Sequence, residues 1–172
     1  MPLKNLGIQP VTGNPLEKAR EEPQGSSFAY KSPQRRKVQD MAEITLSSEN
    51  MEFVTERHLA SLTIVTPSGR PHVTPVGFTW DQKENLIRII TWAGSTKAKL
   101  LDRSPEPLRA AVCQVDGGRW ITFEGNATVT GDPERCEQGT SRYAERYSPP
   151  KDRGEDRRVI EIHVDRILGR NT

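Results

Sequence analysis

The chain predicts a mainly β fold: about six antiparallel strands closed into a small barrel, with three helices at the periphery. Three observations lead there. From residue 58 onward, short apolar or alternating runs recur with turn residues between them. Most of the connections are short enough to be hairpins, as sequential antiparallel strands require, and closing such a set into a barrel removes its edges. Helix signals appear only three times, at 48–57, 95–103 and 133–147.

The elements follow in order. Residues 1–42 carry no apolar period of either kind and contain PVTGNP and EEPQGSS. Such a segment cannot bury enough surface to offset its ordering entropy, so it is expected to be disordered or an extended arm. Residues 1–40 carry a net charge of +3, the remainder −1. Met41 opens the folded part, 43–172, and is an alternative start. Ser47 or Ser48 ahead of Glu52 and Phe53 signals a capped helix over 48–57. HLASLTIVT (58–66) reads as a strand, PSGR as a turn, and PHVTPVGFTW (71–80) as a second strand. Pro75 and Gly77 inside that strand mark an edge, a bulge or the close approach of another group. DQKEN turns into LIRIITW (86–92), and a helix follows over 95–103. RAAVCQVD (109–116) and RWITFEGNATVTG (119–131) flank a Gly117-Gly118 hairpin, with a kink expected at Gly125. Asp132-Pro133 starts a helix that runs to about Tyr147, and RRVIEIHVDRILG (157–169) is the last strand.

Composition excludes several classes. With 25 Lys and Arg against 23 Asp and Glu, the net charge is +2, too little to make nucleic acid the main partner. No apolar run approaches the roughly 18 residues of a membrane span, and the N-terminus has no signal-peptide core, so a cytoplasmic protein is expected. The two cysteines, Cys113 and Cys136, have no metal spacing; Cys113 is expected in the core and Cys136 on a helix. No Ser/His/Asp set assembles, and His58 and His163 read as structural. A chain without its own acid/base set suits chemistry carried by a bound cofactor.

Some residues admit two readings. IITW empties into Ala93-Gly94-Ser95-Thr96 and then Lys97, Lys99 and Arg103. That is either a phosphate cradle or an ordinary capped helix with a solvated basic face. His72 is structural or part of a site. Trp120, beside Gly117-Gly118, lines a ligand or subunit contact, or plugs the barrel end. Arg142, Tyr143, Arg146 and Tyr147 are i,i+4 pairs, either a solvated face with aromatic anchors or a cation set over a pocket mouth.

The blocks HLASLTIVTPSGRPHVTPVGFTWD, GSTKAKLLDRSP, VDGGRWITFEGNATV and RYAERY, in this order, resemble the split β-barrel flavin and deazaflavin oxidoreductases. These form the pyridoxamine 5′-phosphate oxidase-like superfamily. Within it the chain is similar to the actinobacterial F420-dependent biliverdin reductase group. The resemblance covers about 50–169 and leaves the first 42 residues without a counterpart.

The resemblance implies an FMN-binding type of split barrel and a homodimer with the cofactor, F420 or alternatively FMN, in a groove between protomers. It implies that Ser95, Thr96 and Lys97, with Lys99 nearby, hold the cofactor phosphate. It implies that Pro75, Val76 and Gly77, with His72 on the same strand, run beside the deazaflavin ring. Gln114, Gly118 and Trp120 would approach ring or substrate from the second chain. A planar conjugated acceptor, biliverdin first, would meet Arg142, Arg146, Tyr147 or the arginines near 153–158. No metal is implied. The strand ahead of the phosphate turn has one arginine, Arg88, where flavin users are Arg-rich, and no basic His-containing segment follows the last strand. Pyridoxamine phosphate oxidation is therefore not expected. The rivals are an FMN-dependent oxidoreductase and a non-enzymatic binder of F420, flavin or haem.

Overall fold

A computed structural model describes residues 45–169; the expected tail and Met41 lie outside them. Three helices, α1 (Ser48–Thr55), α2 (Thr96–Asp102) and α3 (Pro133–Arg146), accompany seven strands. The strands are β1 (Ala60–Val65), β2 (Pro71–Val76), β3 (Thr79–Asp81), β4 (Leu86–Trp92), β5 (Leu108–Asp116), β6 (Arg119–Thr130) and β7 (Arg157–Gly169). They form one antiparallel sheet in the order β2-β1-β5-β6-β7-β4-β3. The core lies inside the curl of that sheet. Leu62, Ile64, Val112, Ile121, Phe123, Ile160 and Ile162 are fully buried and alternate with residues on the outer face.

The stretch expected as one strand over 71–80 is two. β2 pairs with β1 at one edge of the sheet, and β3 pairs with β4 at the opposite edge. Only Gly77 and Phe78 join them, so the two edges lie within about 11 Å of each other along the chain. The sheet must curl round to allow this. No ladder joins β2 to β3 among the described residues. The expected closed barrel is thus open along one seam. Pro71 and Pro75 suit that edge, because neither has an N–H to donate.

Other differences have local causes. α1 stops at Thr55 rather than residue 57. The carbonyl of Glu56 is taken by the Arg146 guanidinium, through Nε at 3.0 Å and Nη2 at 2.9 Å. Ser47 caps its start, accepting from the Asn50 N–H at 3.2 Å. Cys113 is half-buried on the outer face of β5 instead of in the core, because its register partners Ser61 and Thr122 point outward too. The kink at Gly125 is a bulge between Glu124 and Gly125, where a Cβ would lie 2.1 Å from the His163 carbonyl oxygen.

β4 and the first half of β7, Val159 to Ile162, are buried on both faces because α3 covers their outer side. Gly139 lets the helix approach, since a Cβ there would meet Val159 Cγ2 at 3.0 Å and Ile90 Cγ2 at 3.3 Å. Beneath the helix lies a buried ion network. Arg88, opposite Glu161 in the ladder, bonds Asp81 at 3.0 Å and Glu84 at 2.5 Å. Glu161 accepts from Arg135 of α3 at 3.0 Å, and Asp81 accepts from Arg142 of α3 at 2.6 Å. Asp81 therefore ends a strand and anchors a helix. Burial pushes its carboxyl up, but the Arg88 hydrogen bond and the Arg142 and Arg88 charges outweigh that and hold it below the usual range. Among the described residues, no helix is long and apolar enough to cross a membrane.

Candidate cofactor cleft

The end of β4 emerges at Trp92, turns through Ala93-Gly94, and enters α2. Ser95 is buried and caps that helix, its Oγ accepting from the Ala98 N–H at 3.2 Å and from the Thr91 hydroxyl at 2.9 Å. The hydroxyl-rich turn is therefore first a helix cap. Capping places Lys97 on the inner side of α2, where its Nζ lies 5.6 Å from the centre of the Trp92 ring. Thr96 and Lys99 are exposed on the same helix.

Beside this turn opens a cleft of about 300 Å³. One wall is the seam segment Pro75, Val76 and Gly77; another is Ile90, Thr91 and Trp92; Lys97 and Tyr143 close the ends. Lys151, Arg153 and Arg157 line the remaining side. Arg153 also stands over Trp92, its Cζ 4.9 Å from the ring centre, so the indole lies against two cations. Among the described residues, none of these four cations is paired with a carboxylate. Burial alone pulls the Lys97 ammonium below its ordinary value. A half-buried ammonium without a counter-charge is costly, and an anionic ligand would relieve it.

Four of the residues expected at a cofactor, Pro75, Val76, Gly77 and Lys97, thus meet in one cleft. Others lie elsewhere. His72 is half-buried on β2, outside the cleft lining. Gln114 is fully buried, its Nε2 donating to the Phe53 carbonyl at 2.7 Å and its Oε1 accepting from Arg146 at 2.7 Å, so it cannot approach a ring. Gly118 and Trp120 sit at the β5–β6 hairpin, Trp120 opposite Val115 and both exposed. Arg142 is tied to Asp81, and Arg146 and Tyr147 are bonded to backbone at the seam. Gly77 also has a different neighbour from the one anticipated. A Cβ there would meet Tyr143 Cε2 at 2.7 Å and Tyr147 at 3.1 Å, so the planar groups approaching it are α3's own tyrosines.

Tyr143, one of the i,i+4 pairs, does lie at a cleft, and Trp92 joins the lining without a sequence expectation. Trp92 could have been expected there, because a tryptophan at the last position of a buried strand, directly before a polar turn, is exposed by the turn itself.

Comparison with known proteins agrees with this architecture. The family model described as pyridoxamine 5′-phosphate oxidase matches residues 46–171. An F420H(2)-dependent biliverdin reductase from Mycobacterium tuberculosis (strain CDC 1551 / Oshkosh) is 44% identical over 124 residues, 72% of this chain and 88% of that one. The crystal structure of conserved hypothetical protein Rv2991 from Mycobacterium tuberculosis aligns with a TM-score of 0.59 at 26% identity, over 76% of this chain and 88% of that one. A structure described as an F420 reductase aligns at 0.56 and 19% identity, over 73% and 98%, a likeness of fold. An open-seamed antiparallel barrel with its cleft at the seam, matched by that model over nearly the whole described region, places the chain in the pyridoxamine 5′-phosphate oxidase family.

Proposed function

We propose that the protein is an F420-dependent reductase, passing a hydride from the reduced deazaflavin to a planar conjugated acceptor, with biliverdin and its product bilirubin as the leading pair. The observation that carries the reading is a cleft whose lining joins the apolar Pro75, Val76, Ile90 and Trp92 to four cations that have no carboxylate partner among the described residues. That donor set fits a cofactor joining a planar ring to an anionic chain. The relative at 44% identity is named for this cofactor and acceptor.

Lys97, Lys151, Arg153 and Arg157 would hold the anionic part by charge-assisted hydrogen bonds. Pro75, Val76, Gly77 and Trp92 would bound the ring. Ser95 would act by fixing the turn that aims Lys97; Thr96 and Lys99 lie on the same helix outside the cleft lining. Bound and reduced, the cofactor supplies the hydride. The protein contributes proximity and orientation, by holding two planes in contact and excluding water from between them.

The same reading carries a homodimer in the cytoplasm. In support, Val65, Val73, Val115 and Trp120 are exposed on the outer face of β1, β2, β5 and β6, an apolar surface suited to a second copy. That copy would bring its own Gly118 and Trp120 to the cleft. Oxidation of reduced F420, followed by its absorbance with biliverdin, with a quinone and with no acceptor, tests the proposal. Turnover with biliverdin is expected. Turnover with the quinone alone ends the acceptor claim, and no turnover with any acceptor leaves a binder. The family description favours one other reading, an FMN-dependent oxidoreductase, which tight FMN binding without F420 binding would establish.

A further inference from the structure

Phe78 has no strand partner: β2 ends at Val76 and β3 begins at Thr79. Its backbone N–H and carbonyl still need hydrogen bonds, because Phe78 is fully buried. Both come from the last turn of α3. The Tyr147 hydroxyl accepts from the Phe78 N–H at 3.1 Å and donates its one proton to the His58 carbonyl at 2.7 Å. The Arg146 Nη1 donates to the Phe78 carbonyl at 2.6 Å, while Nε and Nη2 hold the Glu56 carbonyl. Two consecutive side chains therefore tie the seam to the segment that enters β1.

We infer that Arg146 and Tyr147 are positioning residues for the cleft: by bonding the backbone at the seam they fix the adjoining wall Pro75–Val76–Gly77, and through it the affinity for the cofactor. The inference rests on reading the cleft as the cofactor site. Three observations support it. The bonded residue, Phe78, follows the wall directly. Tyr143, one turn before Tyr147, lines the cleft and packs where a Gly77 side chain would be. Its ring stacks on Tyr147 with centres 4.7 Å apart, so clasp and wall move together. The other end of α3 is tethered separately, through Arg135 on Glu161. Loss of the clasp therefore leaves the helix attached and Pro75 and Val76 on the β1 ladder, but unties the Gly77–Phe78 end of the wall. A wall displaced by even a fraction of an ångström degrades a preorganised site.

The test uses the full chain and a fluorescence titration with oxidised F420, at a temperature where circular dichroism shows every variant folded. Tyr147→Phe and Arg146→Lys should each raise Kd at least fivefold. Arg135→Gln, at the far tether, should lower the melting temperature with Kd unchanged within twofold. Kd within twofold of wild type in both clasp variants overturns the inference, as does an equal rise in Arg135→Gln. Should the clasp variants not fold, hydrogen exchange on the wild-type protein decides: the Phe78 amide should be as protected as that of Ile89, and exchange as fast as at the turn residue Ser68 overturns the clasp. Repeating the titration with FMN separates the two claims. If wild type binds FMN and not F420, the cofactor reading falls and the fold-changes with FMN decide the clasp; binding of neither overturns both.

Discussion

Tyr143 belongs both to α3, which carries one cation-rich region, and to the cleft, which carries another, and the two are built on opposite terms. Under and along α3, Arg88, Arg135, Arg142 and Arg146 each have protein acceptors: Asp81, Glu84, Glu161, or the carbonyls of Glu56 and Phe78. Around the cleft, Lys97, Lys151, Arg153 and Arg157 have no carboxylate partner among the described residues. The first set is scaffolding, since its donors are already taken by carboxylates or, for Arg146, by backbone carbonyls and the Gln114 amide oxygen. In the second, Arg157 donates to the carbonyls of Thr91 and Lys151, while the side chains of Lys97, Lys151 and Arg153 have no hydrogen-bond acceptor among the described residues and face the cleft. A cation's function here follows from what already answers it, rather than from its presence in a basic run.

That contrast is open to breakage in several places. Arg88→Ala removes the centre of the scaffold network and leaves Asp81 and Glu161 with only the α3 arginines, Arg142 and Arg135, as partners. Breaking a buried pair costs about 3–5 kcal/mol, so thermal denaturation should show a loss of that order, with cofactor affinity per folded molecule little changed. A fall in affinity without a fall in stability would erase the distinction between the two regions.

Gly77→Val acts where the regions meet. The added Cβ is driven into Tyr143 and Tyr147, an overpacking that costs about 1–3 kcal/mol. The variant should lose melting temperature and cofactor affinity together. Retention of stability with lost affinity would mean that the ring of the cofactor, and not the tyrosines, is what Gly77 accommodates.

A smaller effect is expected from pH. The Asp81 carboxyl is held below its ordinary value, about 3.9. Its contribution to stability is fully present above that value and is lost as pH falls through the depressed folded-state pKa, because the unfolded chain takes up the proton first. In denaturant melts below pH 4, stability should fall less steeply with pH in Asp81→Asn than in wild type. Equal slopes would place the acid-sensitive group elsewhere.

Much of this was legible along the chain. Every helix and every strand but β3 announced itself by period, cap or turn, and the turn before Lys97 was visible as an abrupt change of character. The seam was not. PHVTPVGFTW reads as one strand because each half is extended and apolar; the break exists only because its halves pair with opposite edges of the sheet. Nor was the scaffold network, whose members are far apart in sequence. A signal was present all the same: Arg88 in LIRII and Glu161 in VIEIH are single opposite charges inside apolar strands, the mark of a buried cross-strand pair. Arg146 and Tyr147 look like a substrate face from their spacing alone, because the carbonyls that engage them belong to residues about 70 to 90 positions earlier.

The central claim is that the unanswered cations belong to a ligand, and Lys97 tests it most directly. Lys97→Ala should leave the melting temperature nearly unchanged, since the half-buried charge it removes has the Trp92 ring beside it but no carboxylate partner among the described residues. In the same protein the Kd for oxidised F420 should rise about 10- to 150-fold, the worth of one charge-assisted hydrogen bond of roughly 1.5–3 kcal/mol. An unchanged Kd in a folded Lys97→Ala protein would contradict the account.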